Sequence, residues 1–433
     1  MGIELITIIL FGGLLLLLAL GVPVSFALGG ITVLLTFLFD GPDAVYTVAT
    51  TTYQQITSPT LMTIPLFLMM GNFLVESGIS ERLYNGLSYW LSGVRGGLAI
   101  VSIGVCVALA MCGGFGPGIL TMGLVAVPAM LKYNYSKSIA LGSVMAGGVL
   151  GEIIPPAIIM IIFAFIAKIS IGKLFFGGLV PGFILAVLYT GYIIFIGIIR
   201  PNDLPKPDMR VSWRTHWKAL GEIFLPCMLV VLVLGSIFIG AATPTEAAGV
   251  GALGSMMICA IHRKLTGKVI LDSCRQTLKI TGMVLWILIP ATLFGVFYAT
   301  AGAQDMLMEF IGSLEVSRYL VLICMQLVLL LFGMFMDDYA VVTICAPIML
   351  PIARILGFDP IWFSILFILN MQVAYLTPPF GWALIMMKGV VPAGVTTRDI
   401  WRSVPPFVLI QLFVLILVMI FPQIATWLPN VAF

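Results

Sequence analysis

Long apolar segments alternate with short polar loops along almost the whole chain. Their approximate positions are 5–20, 22–39, 62–76, 97–131, 139–167, 174–199, 223–240, 241–261, 280–300, 319–352, 361–387 and 404–427. Because roughly 20 apolar residues cross a bilayer as one helix, the pattern predicts about ten to twelve crossings or hairpins. The fold class it predicts is an all-α polytopic membrane protein.

Two of these segments are too long for one crossing and have helix breakers at their centres. Segment 97–131 contains a cluster of glycines around Pro117, and segment 319–352 contains Asp337 and Asp338. Within a bilayer, such a centre is tolerated where the backbone is buried in protein or lines a cavity. Both segments are therefore predicted to be re-entrant helical hairpins, each made of two half-helices.

Each hairpin is followed by a helix that is broken at a Pro-Pro pair. Segment 139–167 breaks at Pro155–Pro156, and segment 361–387 breaks at Pro378–Pro379. Proline removes a backbone donor and blocks the preceding turn, which frees carbonyl oxygens. Freed carbonyls suit Na⁺, and the N-termini of half-helices suit an anion. A proline kink that merely shapes the helix is the simpler alternative.

The distribution of basic residues predicts the orientation of the chain. Ten of the 21 lysines and arginines lie in two segments, 200–222 and 262–279. An excess of Lys and Arg marks cytoplasmic loops, so both segments are predicted to be cytoplasmic. Counting crossings from these loops, with one hairpin in each half, places both termini outside. The two hairpins then enter the membrane from opposite faces.

That orientation predicts an internal inverted repeat, and the sequence contains one. The segment IPLFLMMGNFLVESG at 64–78 matches IPATLFGVFYATAG at 289–302, and further pairs follow in the same order at offsets between 219 and 225. Residues 1–199 and 223–433 are predicted to be the two repeats, joined by 200–222 as a basic cytoplasmic linker. Opposite orientation of the halves is typical of secondary transporters.

Acidic residues inside the apolar segments are candidates for function. An ionised carboxylate near the bilayer centre costs at least ~2.5 kcal/mol, so it normally pairs or takes part in function. Glu152 lies at the first break, and Asp337 and Asp338 lie at the centre of the second hairpin. Glu246 follows Thr243 at the spacing of a capping box, which favours a structural role for it.

Composition and motifs exclude several classes of function. The chain is 61% hydrophobic and 9% charged with a net charge of +3, and no basic run interleaves with aromatics to bind nucleic acid. The sequence has no HExxH, GxSxG or P-loop motif. A membrane-embedded, lipid-modifying enzyme remains the less favoured alternative, because a second acidic cluster is missing. The sequence therefore predicts a carrier that is not an enzyme.

Four motifs resemble the large membrane subunit of tripartite ATP-independent periplasmic (TRAP) transporters. They are GEIIPPAI (151–158), TPTEAAGVGA (243–252), GMFMDDYAVVTICAPIMLPIA (333–353) and LTPPFGWAL (376–384). The resemblance implies an inverted-repeat elevator-type carrier in the bacterial inner membrane, so that the two termini predicted to lie outside are periplasmic. It implies uptake of a small organic anion, a carboxylate or sulfonate, coupled to two or more Na⁺ ions.

The resemblance also implies partners besides membrane lipid. They are a small four-helix membrane subunit, expected here as a separate chain, and a periplasmic binding protein that delivers the substrate. A Na⁺/organic-anion symporter that needs no binding protein is the alternative within transport.

The resemblance further implies two Na⁺ sites, and the acidic residues together with the two breaks predict a substrate region. The positions that match the first Na⁺ site are Cys112, Gly113, Gly114, Gly147, Gly148, Gly151 and Glu152. Those that match the second Na⁺ site are Gly333, Ala374, Thr377 and Phe380. The substrate region comprises Glu152, Asp337, Asp338, Pro155, Pro156, Pro378 and Pro379.

The first site departs from the family pattern at two places. Many members have Ser-Gly-Ser where this chain has Cys112–Gly114, and they often have Pro at the position of Glu152. Glu152 is then expected either to replace the lost hydroxyl ligands or to face the substrate.

Overall fold

Helices follow one another along the chain, as the apolar segments predict. The computed structural model describes residues 3–113, 115–207, 213–302, 306, 309 and 316–433. The helices of the first half are α1 (Ile3–Ala19), α2 (Val24–Asp40), α3 (Ala44–Ile56), α4 (Thr63–Glu76), α5 (Ile79–Leu91), α6 (Gly97–Gly113), α7 (Phe115–Lys132), α8 (Lys137–Leu150), α9 (Ile158–Ala167) and α10 (Ile171–Ile199). The short 3₁₀ helix Pro59–Met62 leads into α4.

The second half follows the basic linker. Its helices are α11 (Trp213–Phe238), α12 (Pro244–Ile261), α13 (Gly267–Thr300), α14 (Arg318–Phe335), α15 (Asp338–Ile355), α16 (Pro360–Leu376), α17 (Trp382–Val390), α18 (Thr397–Ser403), α19 (Pro405–Ile420) and α20 (Gln423–Ala432). Among the described residues, seven helices are long and apolar enough to cross a membrane, and shorter apolar helices make up the remaining predicted segments.

Local sequence signals explain where several helices begin. Thr243 and Glu246 form a capping box at the start of α12, in which the backbone N–H of Thr243 donates to Glu246 Oε2 at 2.8 Å. The structural role predicted for Glu246 is therefore confirmed. Asp359 begins α16 in a similar way, because its Oδ1 accepts from the backbone N–H of Trp362 at 2.8 Å.

Two helices begin earlier than the apolar pattern indicates. α11 begins at Trp213 inside the basic linker, and α13 begins at Gly267 inside the second basic segment. The first turns of α13 are amphipathic: Lys268 is exposed, whereas Thr277 is buried and accepts a hydrogen bond from Asn72 Nδ2 at 2.9 Å. Hydropathy marks only the apolar part of such a helix, so the start that it predicts is too late.

The two predicted hairpins and the two predicted breaks are present. α6 and α7 form the first hairpin, and α14 and α15 form the second, in which only Met336 and Asp337 separate the two arms. The first broken helix consists of α8 and α9, and the second consists of α16 and α17. The prediction of an all-α chain with two hairpins and two proline-broken helices is confirmed.

These elements pack reciprocally across the two halves. Within each half, the first arm of the hairpin packs against the first part of the broken helix, as α6 on α8 and α14 on α16. Across the halves, α15 packs against α9, and α7 packs against α17. We call these eight helices, α6 to α9 and α14 to α17, the core unit. Because each half contributes the same contacts to the other, the core unit has the symmetry expected of an inverted repeat.

A second reciprocal set of helices packs around the core unit. α2 packs against α13, and α12 packs against α4. We call these four helices the frame. The frame also contacts the core unit, for example through α13 on α15 and α4 on α6.

Candidate functional site

Both proline breaks have backbone carbonyls that the helices do not use. In the first break, no described backbone N–H donates to the carbonyl oxygens of residues 151–156. In the second break, the same holds for the carbonyls of Leu376 and of residues 378–380. The two Pro-Pro peptide bonds are both cis. The predicted freeing of carbonyl groups is therefore confirmed at both breaks.

The surroundings of the two breaks differ. Pro155 and Pro156 are buried, whereas Pro378 is half-buried and Pro379 is exposed. The first break therefore lies inside the protein, and the second break lies nearer a surface.

Two acidic residues from opposite halves line one small cavity. Glu152 lies in the first break, and Asp338 is the first residue of α15 at the tip of the second hairpin. Only 1% of Glu152 and 7% of Asp338 is exposed, and their carboxyl groups interact electrostatically. This cavity is too narrow for a water molecule, and its other described lining residues are Ala110, Ala157, Ile158, Ile159 and Tyr339. The tip of the second hairpin is thus buried against the first break.

Asp337 is oriented differently from its neighbour. Its Oδ1 accepts from the backbone N–H of Ala340 at 3.3 Å and caps the N-terminus of α15. It also lines a separate cavity of about 460 Å³ between the hairpin tip and the frame. The other lining residues are Pro23, Val24, Ser25, Gly282, Met283, Trp286 and Ile287. This volume is within the usual range for small-molecule sites.

Contacts are described for some of the residues predicted for the first Na⁺ site. A Cβ atom on Gly147 would lie 2.7 Å from the Cα of Ile103, so α8 and α6 are in close contact there. Cys112 and Gly113 end α6, whereas Gly114 and the side chain of Cys112 lie outside the described residues. The carbonyl oxygen of Gly148 accepts from the N–H of Gly151 at 3.2 Å.

The residues predicted for the second Na⁺ site lie close together. A Cβ atom on Gly333 would be 2.7 Å from Cβ of Ala374, so α14 and α16 touch at this point. The hydroxyl of Thr377 donates to the carbonyl of Val373 at 2.7 Å, which leaves its oxygen lone pairs available to a cation. Phe380 is half exposed and packs on Phe335 with a centroid distance of 5.2 Å.

Sequence reasoning missed two tyrosines at this site. Tyr339 and Tyr375 are both buried, and both interact electrostatically with Glu152 and Asp338. Tyr339 directly follows Asp338, and Tyr375 lies two residues before Thr377. Their position inside apolar helices favours a packing role when only hydropathy is considered. The sequence signal that could have identified them is a tyrosine hydroxyl close to a motif residue, as Tyr339 is to Asp338.

Comparisons with known proteins agree with this architecture. The family model described as "Tripartite ATP-independent periplasmic transporter, DctM component" matches residues 11–424. The C4-dicarboxylate TRAP transporter large permease protein DctM of Rhodobacter capsulatus is 33% identical over 98% of both chains. The isethionate permease protein DctMQ of Oleidesulfovibrio alaskensis is 31% identical over 96% of this chain and 65% of its own length. The ectoine/5-hydroxyectoine large permease protein UehC of Ruegeria pomeroyi is 27% identical over 98% of this chain and 99% of its own.

A solved structure shares the fold. The crystal structure of the YdaH transporter of Alcanivorax borkumensis, which was reported to have an unusual topology, aligns with a TM-score of 0.61. The alignment covers 93% of this chain and 98% of the transporter at 14% identity, so it supports the fold alone. The family match, by contrast, extends over nearly the whole chain. This multi-pass membrane protein therefore belongs to the DctM family, the large permease component of tripartite ATP-independent periplasmic transporters.

Proposed function

We propose that this permease imports a small organic anion, a carboxylate or sulfonate, together with Na⁺. The observation that carries the proposal is the pair of hairpins packed against two breaks whose carbonyl groups are free of backbone hydrogen bonds. Inside a membrane, such carbonyls require a partner, and a small cation is one that carbonyl oxygens coordinate well.

The residues present fit Na⁺ at the second break in particular. Thr377 offers a hydroxyl oxygen, and the carbonyl groups of Leu376 and Phe380 accept no described backbone hydrogen bond. Hard oxygen ligands of this kind suit small hard cations. At the first break, the carbonyls of Gly151 and Glu152 would act in the same way, together with the Cys112–Gly114 tip.

The acidic lining of the substrate region gives a physical reason why uptake of the anion is coupled to binding of Na⁺. Of the described residues that line the larger cavity, Asp337 alone is charged. An organic anion that enters there meets a carboxylate, and like charges repel each other. Bound cations supply the missing positive charge, so the anion binds well only after Na⁺ has bound. Uptake then depends on the sodium gradient.

Two substitutions separate the capping role of Asp337 from its charge. Asp337→Asn keeps an oxygen for the N–H of Ala340, so the stability of the protein is expected to stay within about 0.5 kcal/mol of the parent. Asp337→Ala loses the cap and is expected to cost about 1 kcal/mol. Thermal unfolding of the purified variants measures the difference. Equal stability of the two variants would contradict the capping role.

The packing of the helices supports an elevator mechanism. The core unit contains both hairpins and both breaks, and its cross-half contacts join them into one body. The larger cavity lies between this body and the frame helices α2 and α13. In the proposed mechanism, the core unit slides along the frame and carries the site from one membrane face to the other.

The proposal includes a location and two partners. The chain lies in the bacterial inner membrane with both termini in the periplasm. A separate small membrane subunit and a periplasmic binding protein complete the transporter. Support comes from the name of the family, from its match over residues 11–424 and from the basic segments that are expected to face the cytoplasm.

Uptake into proteoliposomes tests the proposed function. The vesicles contain this chain and the small subunit, with the binding protein outside, and the probes are radiolabelled succinate, isethionate and ectoine. We expect accumulation of at least one probe under an inward Na⁺ gradient and background levels under an equal K⁺ gradient. Equal uptake in both gradients would contradict sodium coupling.

Two further measurements on the same vesicles separate the alternatives. Uptake that persists without the binding protein would favour a symporter that needs no binding protein. Recovery of the probe in a chemically altered form, without accumulation, would favour an enzyme.

A further inference from the structure

The carboxyl groups of Glu152 and Asp338 lack a positive partner among the residues around them. Among the residues that the structure describes, no lysine, arginine or histidine lines their cavity. The other titratable groups that interact with the pair are Asp337, Tyr339 and Tyr375, none of which carries a positive charge. Two carboxylates that face each other away from water repel strongly, so a bound proton or a bound cation has to offset the repulsion between them.

Glu152 itself points to a ligand. Both of its carboxyl oxygens are buried, and among the described residues the carboxyl group of Asp338 is the one hydrogen-bonding group within their reach. Buried carboxyl groups in proteins are normally hydrogen-bonded, paired with a base or bound to a metal ion.

We propose that Glu152 and Asp338 together bind one small monovalent cation, Na⁺ or Li⁺, which joins the first break to the tip of the second hairpin. This ion binds between the two halves, and each half has its own hairpin–break site besides it. Glu152 is thereby assigned to the ion between the halves and not to the first hairpin–break site. The inference rests on the proposed function, which it extends by an ion bound between the halves. Because both halves supply a ligand, binding of this ion fixes the hairpin tip against the first break.

The size of the cavity selects the cation. The space between Glu152 and Asp338 leaves no room for a water molecule, so an ion must bind there without its hydration shell. The larger K⁺ ion would have to push apart Ala110 and Ile158, which line the same cavity. Close-packed interiors resist such expansion. Na⁺ and Li⁺ are therefore favoured over K⁺.

Thermal unfolding of the purified protein in detergent tests this site without a transport assay. The parent and the variants Glu152→Gln, Asp338→Asn and the double variant are titrated with NaCl, LiCl or KCl against choline chloride at constant ionic strength. We expect Na⁺ and Li⁺, but not K⁺, to raise the unfolding temperature of the parent. Each single variant should need at least about tenfold more Na⁺ for half of this effect, which corresponds to about 1.4 kcal/mol.

The double variant provides an internal check. If both residues hold the same ion, their effects are not additive, and the double variant should need no more Na⁺ than the more affected single variant. Glu246→Gln is the matched control, because Gln retains the capping box and Glu246 lies far from the cavity in sequence, at the start of α12. Its Na⁺ curve should match that of the parent.

Each other outcome has a defined meaning. Suppose that Na⁺ stabilises the parent and that both single variants give the same Na⁺ curve as the parent. That result would overturn this site and leave the proposed function intact. No response of the parent to Na⁺ would count against the proposed sodium coupling as well. Parent stability that depends on pH, with Na⁺ curves unchanged by either substitution, would assign a shared proton to the pair and overturn the cation. If one variant fails to yield monodisperse protein, the other single variant decides.

Discussion

Replacement of Thr377 by valine is expected to raise the Na⁺ concentration for half-maximal transport roughly 10- to 150-fold. Valine keeps the shape of threonine but removes the oxygen, so a desolvated ion loses one ligand. Hydrogen bonds to charged groups contribute about 1.5–3 kcal/mol, which serves here as a proxy for that ligand. At 1.36 kcal/mol per tenfold change, this range gives the expected shift. Sodium titration of proteoliposome uptake measures it.

Thr343→Val is the matched control for this experiment. Thr343 is buried, whereas Thr377 is half-buried, and the hydroxyl of Thr343 likewise donates to a backbone carbonyl nearby, that of Ala340 at 3.0 Å. It lies within α15 rather than at a break, so its replacement should leave the Na⁺ curve in place. An unchanged Na⁺ curve for Thr377→Val would mean that the second break is a packing feature and not an ion site.

Replacement of Gly151 by alanine is expected to destabilise the protein by about 1–3 kcal/mol, the usual range for overpacking. A Cβ atom at this position would lie 2.2 Å from Cβ of Ala110 and 3.2 Å from its Cα. The neighbouring atoms belong to the rigid helix α6, so they cannot move aside like the end of a flexible side chain. Thermal unfolding in choline chloride, without Na⁺, measures the packing effect separately from ion binding.

Gly104→Ala is the corresponding control on α6. A Cβ atom there would meet no atom within 4 Å, so alanine should fit without strain. Alanine is also favoured over glycine inside a helix by roughly 0.5–1 kcal/mol. Gly104→Ala is therefore expected to unfold at the parent temperature or above it. If Gly151→Ala and Gly104→Ala unfold at the same temperature, the first break is not closely packed against the first hairpin.

Hydropathy and proline positions were sufficient to predict most of the architecture. A bilayer imposes helices of similar length, so the apolar segments locate them directly. The two Pro-Pro pairs predict the breaks, because the chemistry of proline acts on the backbone beside it. The starts of α11 and α13 were placed too late, because their first turns carry basic residues on one face. Local rules therefore predict local features well.

The partner of Glu152 could not be predicted in the same way. Its partner Asp338 lies 186 residues away in the other half, and the contact exists because α15 packs against α9 across the repeat. No periodicity within either half encodes that contact. The sequence also gave no reason to separate Asp337 from Asp338. The structure at the start of α15 shows that Asp337 caps the helix, whereas Asp338 faces Glu152.

The central claim is that the core unit moves past the frame as one body. Distances between pairs of spin labels, measured by pulsed electron paramagnetic resonance in a variant without native cysteines, test it directly. Labels at Lys132 on α7 and Ile385 on α17 report on the core unit, and a label at Leu253 on α12 reports on the frame. All three side chains are exposed, and α7 packs against α17.

The comparison is between K⁺ alone and Na⁺ with a probe that the proteoliposomes accumulate. We predict that the distance from Lys132 to Leu253 changes by more than about 5 Å, one helical turn, while the distance from Lys132 to Ile385 stays constant. If the distance from Lys132 to Ile385 changes as much as the distance from Lys132 to Leu253, the core unit does not move as one body.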